Sequence, residues 1–154
     1  MPQIVKGGKN VFGWSIVGND GRIVIPPEAF EEYLFIEDKR AILIPGSKLS
    51  GGFGLSSKRI LENSTLKDIL DHNPLLAGYK IPEGEIVKIN RKKYCWVSMQ
   101  KDGSIILPQK TMKGYGIKPG DYLASVRGSN LAIGFVARGP IYFEARKHQE
   151  IEEF

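Results

Sequence analysis

The chain has one cysteine, Cys95, and two histidines, His72 and His148. A single thiol excludes an internal disulfide and agrees with a reducing compartment. Neither histidine stands at metal-ligand spacing from Cys95, so no metal site is expected and each histidine reads as structural or as surface. Long apolar runs are absent too: none approaches the roughly 20 residues that a membrane span needs. The first ten residues, MPQIVKGGKN, lack the apolar centre of a secretory signal. The expectation is a cytoplasmic protein with no membrane partner.

Catalytic patterns are also missing. Gly51-Gly52-Phe53-Gly54 resembles a phosphate-cradling loop only superficially, because no Gly-Lys-Ser/Thr follows it. Ser47 and Ser129 each follow a glycine, but neither stands in G-x-S-x-G with a base, and both read as turn residues. Cys95 has Lys92 and Lys93 close by, which could lower its pKa. Its strand setting, and the glycine at the matching Gly13, favour packing instead. With no convergent catalytic group, the chain reads as a non-enzyme without cofactor, metal or catalytic residue.

What is present is a globular composition, 42% hydrophobic and 25% charged over 154 residues, which argues against disorder. Eighteen glycines and nine prolines favour short strands and tight turns over long helices. The charge is divided unevenly. Residues 1–77 hold nine basic and nine acidic side chains, whereas residues 78–154 hold thirteen and eight, so the net +5 lies in the second half. Between Lys88 and Lys118 stand eight basic residues against one acid, Asp102. Such asymmetry points to a polyanionic partner; the competing reading is a solvated lysine-rich surface.

The chain also matches itself, without a gap, when shifted by 82 residues. Ile4-Val5-Lys6 falls on Ile86-Val87-Lys88, Trp14 on Trp96, Asp20-Gly21 on Asp102-Gly103, Tyr33 on Tyr115, and Gly46-Ser47 on Gly128-Ser129. Fifteen of sixty aligned positions are identical, where unrelated sequences would share about four. This predicts a tandem duplication: residues 1–65, a structured connector over 66–83, and residues 84–154.

Each unit reads as mainly β. Phe12 to Val17 and Tyr94 to Met99 are strand-like and lead into Asp-Gly, a strong hairpin signal. The apolar runs GRIVIP and GSIILP follow, each closed by proline. Pro27 to Tyr33 and Gln109 to Tyr115 suit a short helix. AILIPGS and YLASVRGS read as further strands, LSGGFGL and LAIGFVA as last strands, and SKRILEN and GPIYFEARKH as closing helices. In the connector, LKDILDH places Leu66, Ile69 and Leu70 on one helical face, and Asn73-Pro74 is expected to end that helix.

The order of strand, Asp-Gly turn, G-[RS]-I-[VI]-[IL]-P, short helix and then GIKPGDYL resembles the AbrB/MazE/SpoVT swapped-hairpin family. The fullest match is DGSIILPQKTMKGYGIKPGDYL, Asp102 to Leu123; the first copy matches best at GRIVIPPEAF, Gly21 to Phe30. The resemblance implies two-fold dimers whose hairpins interleave into one small barrel. A tandem copy could supply the partner within one chain, as a pseudo-two-fold β-barrel of two swapped-hairpin units. A homodimer or higher homo-oligomer of the chain stays open.

The resemblance further implies DNA binding through arginines and lysines on one face, hence a transcription regulator with duplex DNA as partner. Carried over residue by residue, the support is mixed. The arginine after the turn glycine is Arg22 in the first copy but Ser104 in the second. Short-helix positions often basic in the family hold Phe30 and Glu31, or Met112 and Lys113. The first copy reads Glu37-Asp38-Lys39 where the family has its glycine-aspartate turn. The candidate DNA-binding residues are Lys6, Lys9, Arg22, Lys88, Arg91, Lys92, Lys93, Lys101 and Lys113. Basic residues beside Tyr94 and Trp96 could alternatively serve single strands by stacking, although the matched Trp14 and Trp96 read as core. The alternative function is a protein-interaction or assembly module that kept the fold and lost DNA binding. The acidic α-helical stretch at Glu28, Glu31 and Glu32 motivates it, as does the acidic end, Glu150 to Phe154, as an interaction tail.

Overall fold

The computed structural model describes the backbone of residues 3–5 and 9–154, and side chains from Asn10 onward. It is mainly antiparallel β with short helices, as the glycine- and proline-rich pattern predicts. The strands are β1 (Gln3–Val5), β2 (Lys9–Ile16), β3 (Arg22–Val24), β4 (Arg40–Pro45), β5 (Phe53–Ser56), β6 (Val87–Ile89), β7 (Lys92–Ser98), β8 (Ser104–Ile106), β9 (Tyr122–Arg127) and β10 (Ile133–Val136). Eight of them form one sheet in the order β1-β2-β9-β10-β5-β4-β7-β6, while β3 and β8 pair as a separate ribbon.

The pairing crosses between the two halves of the chain. Strand β2 pairs with β9, and β7 pairs with β4. The registers obey the 82-residue spacing read from the sequence. Trp14 faces Ala124 while Trp96 faces Ile42; in each pair one member is 82 residues from a member of the other. Where β3 meets β8 the central pair is Ile23 with Ile105, and where β5 meets β10 Phe53 pairs with Phe135, each pair 82 apart.

The Asp-Gly turns differ from the simplest hairpin. Gly18 N–H donates to the Arg22 carbonyl, and Gly21 takes φ +84°; Gln100, Ser104 and Gly103 (φ +80°) repeat the arrangement. A left-handed glycine ending a longer turn bends the chain away, so β3 leaves β2 and pairs with β8 instead. Backbone bonds stitch this crossing: Leu107 N–H donates to the Gly21 carbonyl, and Ile25 N–H to that of Gly103, both at 3.0 Å.

The helices are α1 (Pro27–Glu32), α2 (Lys58–Glu62), α3 (Lys67–Asp71), α4 (Pro74–Ala77), α5 (Gln109–Gly114) and α6 (Pro140–Ala145). All are too short to stand alone and depend on packing. Prolines open α1, α4 and α6, where the missing N–H would have no helical partner anyway. Helix α3 ends just before Asn73-Pro74, as expected, and Pro74 also starts the next helix. Among the described residues no helix is long and apolar enough to cross a membrane.

The largest core cluster draws on both halves, including Phe12, Ile23, Phe35 and Phe53 from the first and Cys95, Ile105, Leu123 and Phe135 from the second. Phe53 and Phe135 stack at 5.1 Å, worth about 0.5–1.5 kcal/mol beyond their area. The connector packs Leu70 and Leu76 against Ile42, Leu61 and Tyr94, so it belongs to the folded body.

The acidic stretch read as an interaction tail is partly built into the sheet. Residues 152–154 are not a free acidic tail: Trp14 N–H donates to the Glu152 carbonyl, Phe154 N–H to that of Trp14, and Ile16 N–H to that of Phe154. This parallel segment covers the part of β2 that β1 leaves open, which caps an exposed strand edge. The Phe154 ring lies on Gly13, where an added Cβ would stand 2.5 Å from Cε2. That contact explains why glycine stands there and cysteine at the matching Cys95.

Candidate functional site

The β6–β7 turn, Asn90-Arg91, has positive φ at both residues, +51° and +68°. This is the backbone of a two-residue hairpin turn, which favours Asn-Gly; an arginine in the second place is strained. The turn projects Arg91 and Lys92 into solvent. Behind them Lys93 turns back, its ammonium donating at 2.7 Å to the Gly114 carbonyl at the end of α5. A cation there meets the negative end of the helix. The Tyr115 hydroxyl donates to the Lys93 carbonyl at 3.1 Å, and burial pushes that phenol far above its usual range. Hairpin and helix end are thus locked together.

Facing them is the β4–β5 turn. Ser47 Oγ accepts from Ser50 N–H at 3.0 Å, the turn role expected of it. Arg138, just after β10, donates to the Lys48 carbonyl at 2.9 Å. Its guanidinium lies across Gly51 (φ +64°), where a Cβ would stand 2.7 Å from Nη1. The positive φ favours glycine there, and a Cβ would push the guanidinium aside.

These parts enclose an open groove of about 880 Å³. Six cations line it: Lys48, Arg91, Lys92, Lys93, Lys113 and Arg138, with no acidic side chain among the lining residues. Arg91, Lys92 and Lys113 are exposed and make no ion pair among the described residues. An uncompensated concave surface of this kind focuses a positive potential on one side of the molecule.

A second groove, of about 420 Å³, is lined by Glu32, Tyr33, Arg59, Arg127, Ser129 and Asn130, among others. Six of its eight lining positions correspond to the first by the 82-residue spacing, but among the described residues its charges are paired. Arg127 donates to both carboxylate oxygens of Glu32, with Nε to Oε2 at 2.7 Å. Arg59 donates to Asp38 at 2.8 Å and to the Tyr33 carbonyl at 2.8 Å. Burial, and then the Glu32 charge, push the Tyr33 phenol up to about 12. It donates to the Ser129 carbonyl at 2.8 Å.

Of the residues proposed from sequence, four come together in the first groove: Arg91, Lys92, Lys93 and Lys113. Lys88 is exposed on β6 but does not line the groove, and Lys101 is exposed on the second Asp-Gly turn. Arg22 sits near that same turn and has a partner. It donates to Asp102 at 2.6 Å and to the Ser104 hydroxyl at 2.7 Å, tying the two turns together. The Ser104 hydroxyl, with Arg22 beside it, holds the Asp102 carboxyl below the usual range. Lys6 lies outside the described residues, as does the side chain of Lys9.

Lys48 and Arg138 were not legible as site residues. At the 82-residue spacing they match Asn130 and Ser56, so the repeat pointed away from them; only the recurring Gly-Ser before Lys48 marked a turn there. The aromatics do not offer a stacking platform beside the groove. Tyr94 and Trp14 are buried, and the half-buried Trp96 donates its indole N–H to the Ile81 carbonyl at 2.6 Å. Arg40 lies over Trp96 and over Tyr79 at 4.6 Å from the latter's centroid. Cys95 is buried, and burial pushes its thiol up to about 12, which fits packing. His148 pairs with Glu150 at 2.9 Å, and no group of potential metal ligands occurs among the described residues. Comparison with protein-family models, curated proteins and solved structures gives no match to this chain.

Proposed function

We propose that the chain is a DNA-binding regulator of the AbrB/MazE/SpoVT swapped-hairpin type, two tandem units forming one pseudo-two-fold β-barrel, which holds duplex DNA by its phosphates. The groove carries the reading: six cations from four separate segments converge without an acid among them. The resemblance of Asp102–Leu123 to the family supports it, as do the strand registers that follow the 82-residue spacing and cross between halves.

The mechanism is charge neutralisation of the backbone with counterion release, and phosphate contacts set the register of protein on duplex. Lys93 is engaged with the Gly114 carbonyl, which leaves Lys48, Arg91, Lys92, Lys113 and Arg138 to meet phosphates. Five contacts give a log–log salt slope of about −4 to −5. Titration of the protein against mixed duplex DNA at two salt concentrations tests this. Micromolar or tighter binding with that slope supports the reading, and absence of binding at low salt refutes it.

The alternative, a protein-interaction module, draws on the neutralised second groove and on acidic α1. It predicts no duplex binding at any salt concentration and a defined stoichiometric protein complex.

A further inference from the structure

The two grooves occupy corresponding places, yet apart from Arg91, which matches Lys9, their charged positions differ. At the 82-residue spacing Lys113 corresponds to Glu31, Gly114 to Glu32, Pro45 to Arg127, Lys48 to Asn130 and Arg138 to Ser56. In the larger groove Pro45 and Gly114 are lining residues that carry no charge. In the smaller one the same two places hold Arg127 and Glu32, joined by a forked ion pair. The other cation among its described lining residues, Arg59, is held by Asp38 and lies 3.7 Å from Glu37.

From this asymmetry we infer that each chain binds one duplex through the larger groove only, and that Glu31 with the Glu32–Arg127 pair makes the smaller groove a non-binding face. The inference rests on the nucleic-acid reading above. A phosphate approaching the smaller groove meets an arginine already satisfied by a carboxylate, and α1 carries a further exposed carboxylate, Glu31, next to Glu32 in sequence. Capturing it would require breaking a bidentate pair. A phosphate approaching the larger groove meets Lys113 at the position of Glu31 and no pair to break. A two-fold arrangement of strands thereby acquires a single binding side.

The test is a stoichiometric titration of the full chain with a duplex of about one helical turn, roughly 10 base pairs, at low salt. Wild type should saturate at one duplex per chain. The double variant Glu31→Lys, Glu32→Ala frees Arg127 and should saturate at two. Adding Lys113→Glu to that variant should return it to one, whereas Lys113→Glu alone should weaken wild-type binding at least tenfold. In wild type, Arg127→Ala should leave affinity within twofold, a readout that needs no new site to fold correctly. Two duplexes per chain in wild type, or tenfold weakening by Arg127→Ala, overturns the inference while the nucleic-acid reading stands. No duplex bound by wild type overturns the reading itself, and the inference with it.

Discussion

Arg127 forks onto the carboxylate of Glu32 across the smaller groove, and this pair is the point at which two corresponding surfaces become chemically different. The two side chains are 39% and 35% exposed, so water screens the pair. Glu32→Gln should therefore cost only about 0.5–1 kcal/mol of stability, measured by urea unfolding. A loss above about 3 kcal/mol would assign the pair a buried structural role instead.

Arg91 is expected to set function against stability. Its left-handed backbone, φ +68°, is disfavoured for any residue with a Cβ. Arg91→Gly should raise stability by about 0.5–1 kcal/mol in thermal or urea unfolding. The same change should weaken duplex binding and reduce the salt slope by about one. Improved stability with unchanged binding would remove Arg91 from the interface.

The thiol of Cys95 should be silent in the folded protein. Burial raises its pKa to about 12, so thiolate is scarce at pH 8 despite the lysines nearby in sequence. A disulfide reagent should label it at a rate limited by unfolding, and faster in urea. Rapid labelling of native protein would contradict the packing role.

Removing Glu152–Phe154 should expose the outer half of β2. Three backbone hydrogen bonds and the Phe154–Gly13 contact are lost, a cost of about 2 kcal/mol. The uncovered edge should also promote association, seen as concentration-dependent sedimentation. A truncated chain with unchanged melting and a monomeric profile would mean that this strap contributes nothing.

Much of the fold was legible because strand-like runs and Asp-Gly turns recur in the sequence at a fixed spacing. Pairs such as Trp14 and Trp96, or Asp20-Gly21 and Asp102-Gly103, located the corresponding strands and turns before any coordinates. What the pattern could not convey was partner choice. An Asp-Gly turn looks the same whether the next strand returns to its neighbour or, as β3 does, leaves for β8, since the decision lies in backbone bonds from distant Gly21 and Gly103. The acidic end read as an interaction tail shows the same limit: its charges gave no sign that its backbone N–H and C=O groups are used by β2. For the site, the run Arg91-Lys92-Lys93 was visible locally. Lys48 and Arg138 were not, because they reach the groove through tertiary contacts and match uncharged residues in the other half. Arg22 was a candidate from sequence, yet Asp102 and Ser104, 80 and 82 residues away, already hold it.

The most direct test compares wild type with the triple variant Lys48→Ala, Lys113→Ala, Arg138→Ala in duplex titrations across a range of salt concentrations. With three of five phosphate contacts removed, the log–log slope should fall from about −4.5 to about −2, with affinity at low salt reduced by at least tenfold. An unchanged slope and affinity in a variant that remains folded would contradict the groove as the nucleic-acid interface.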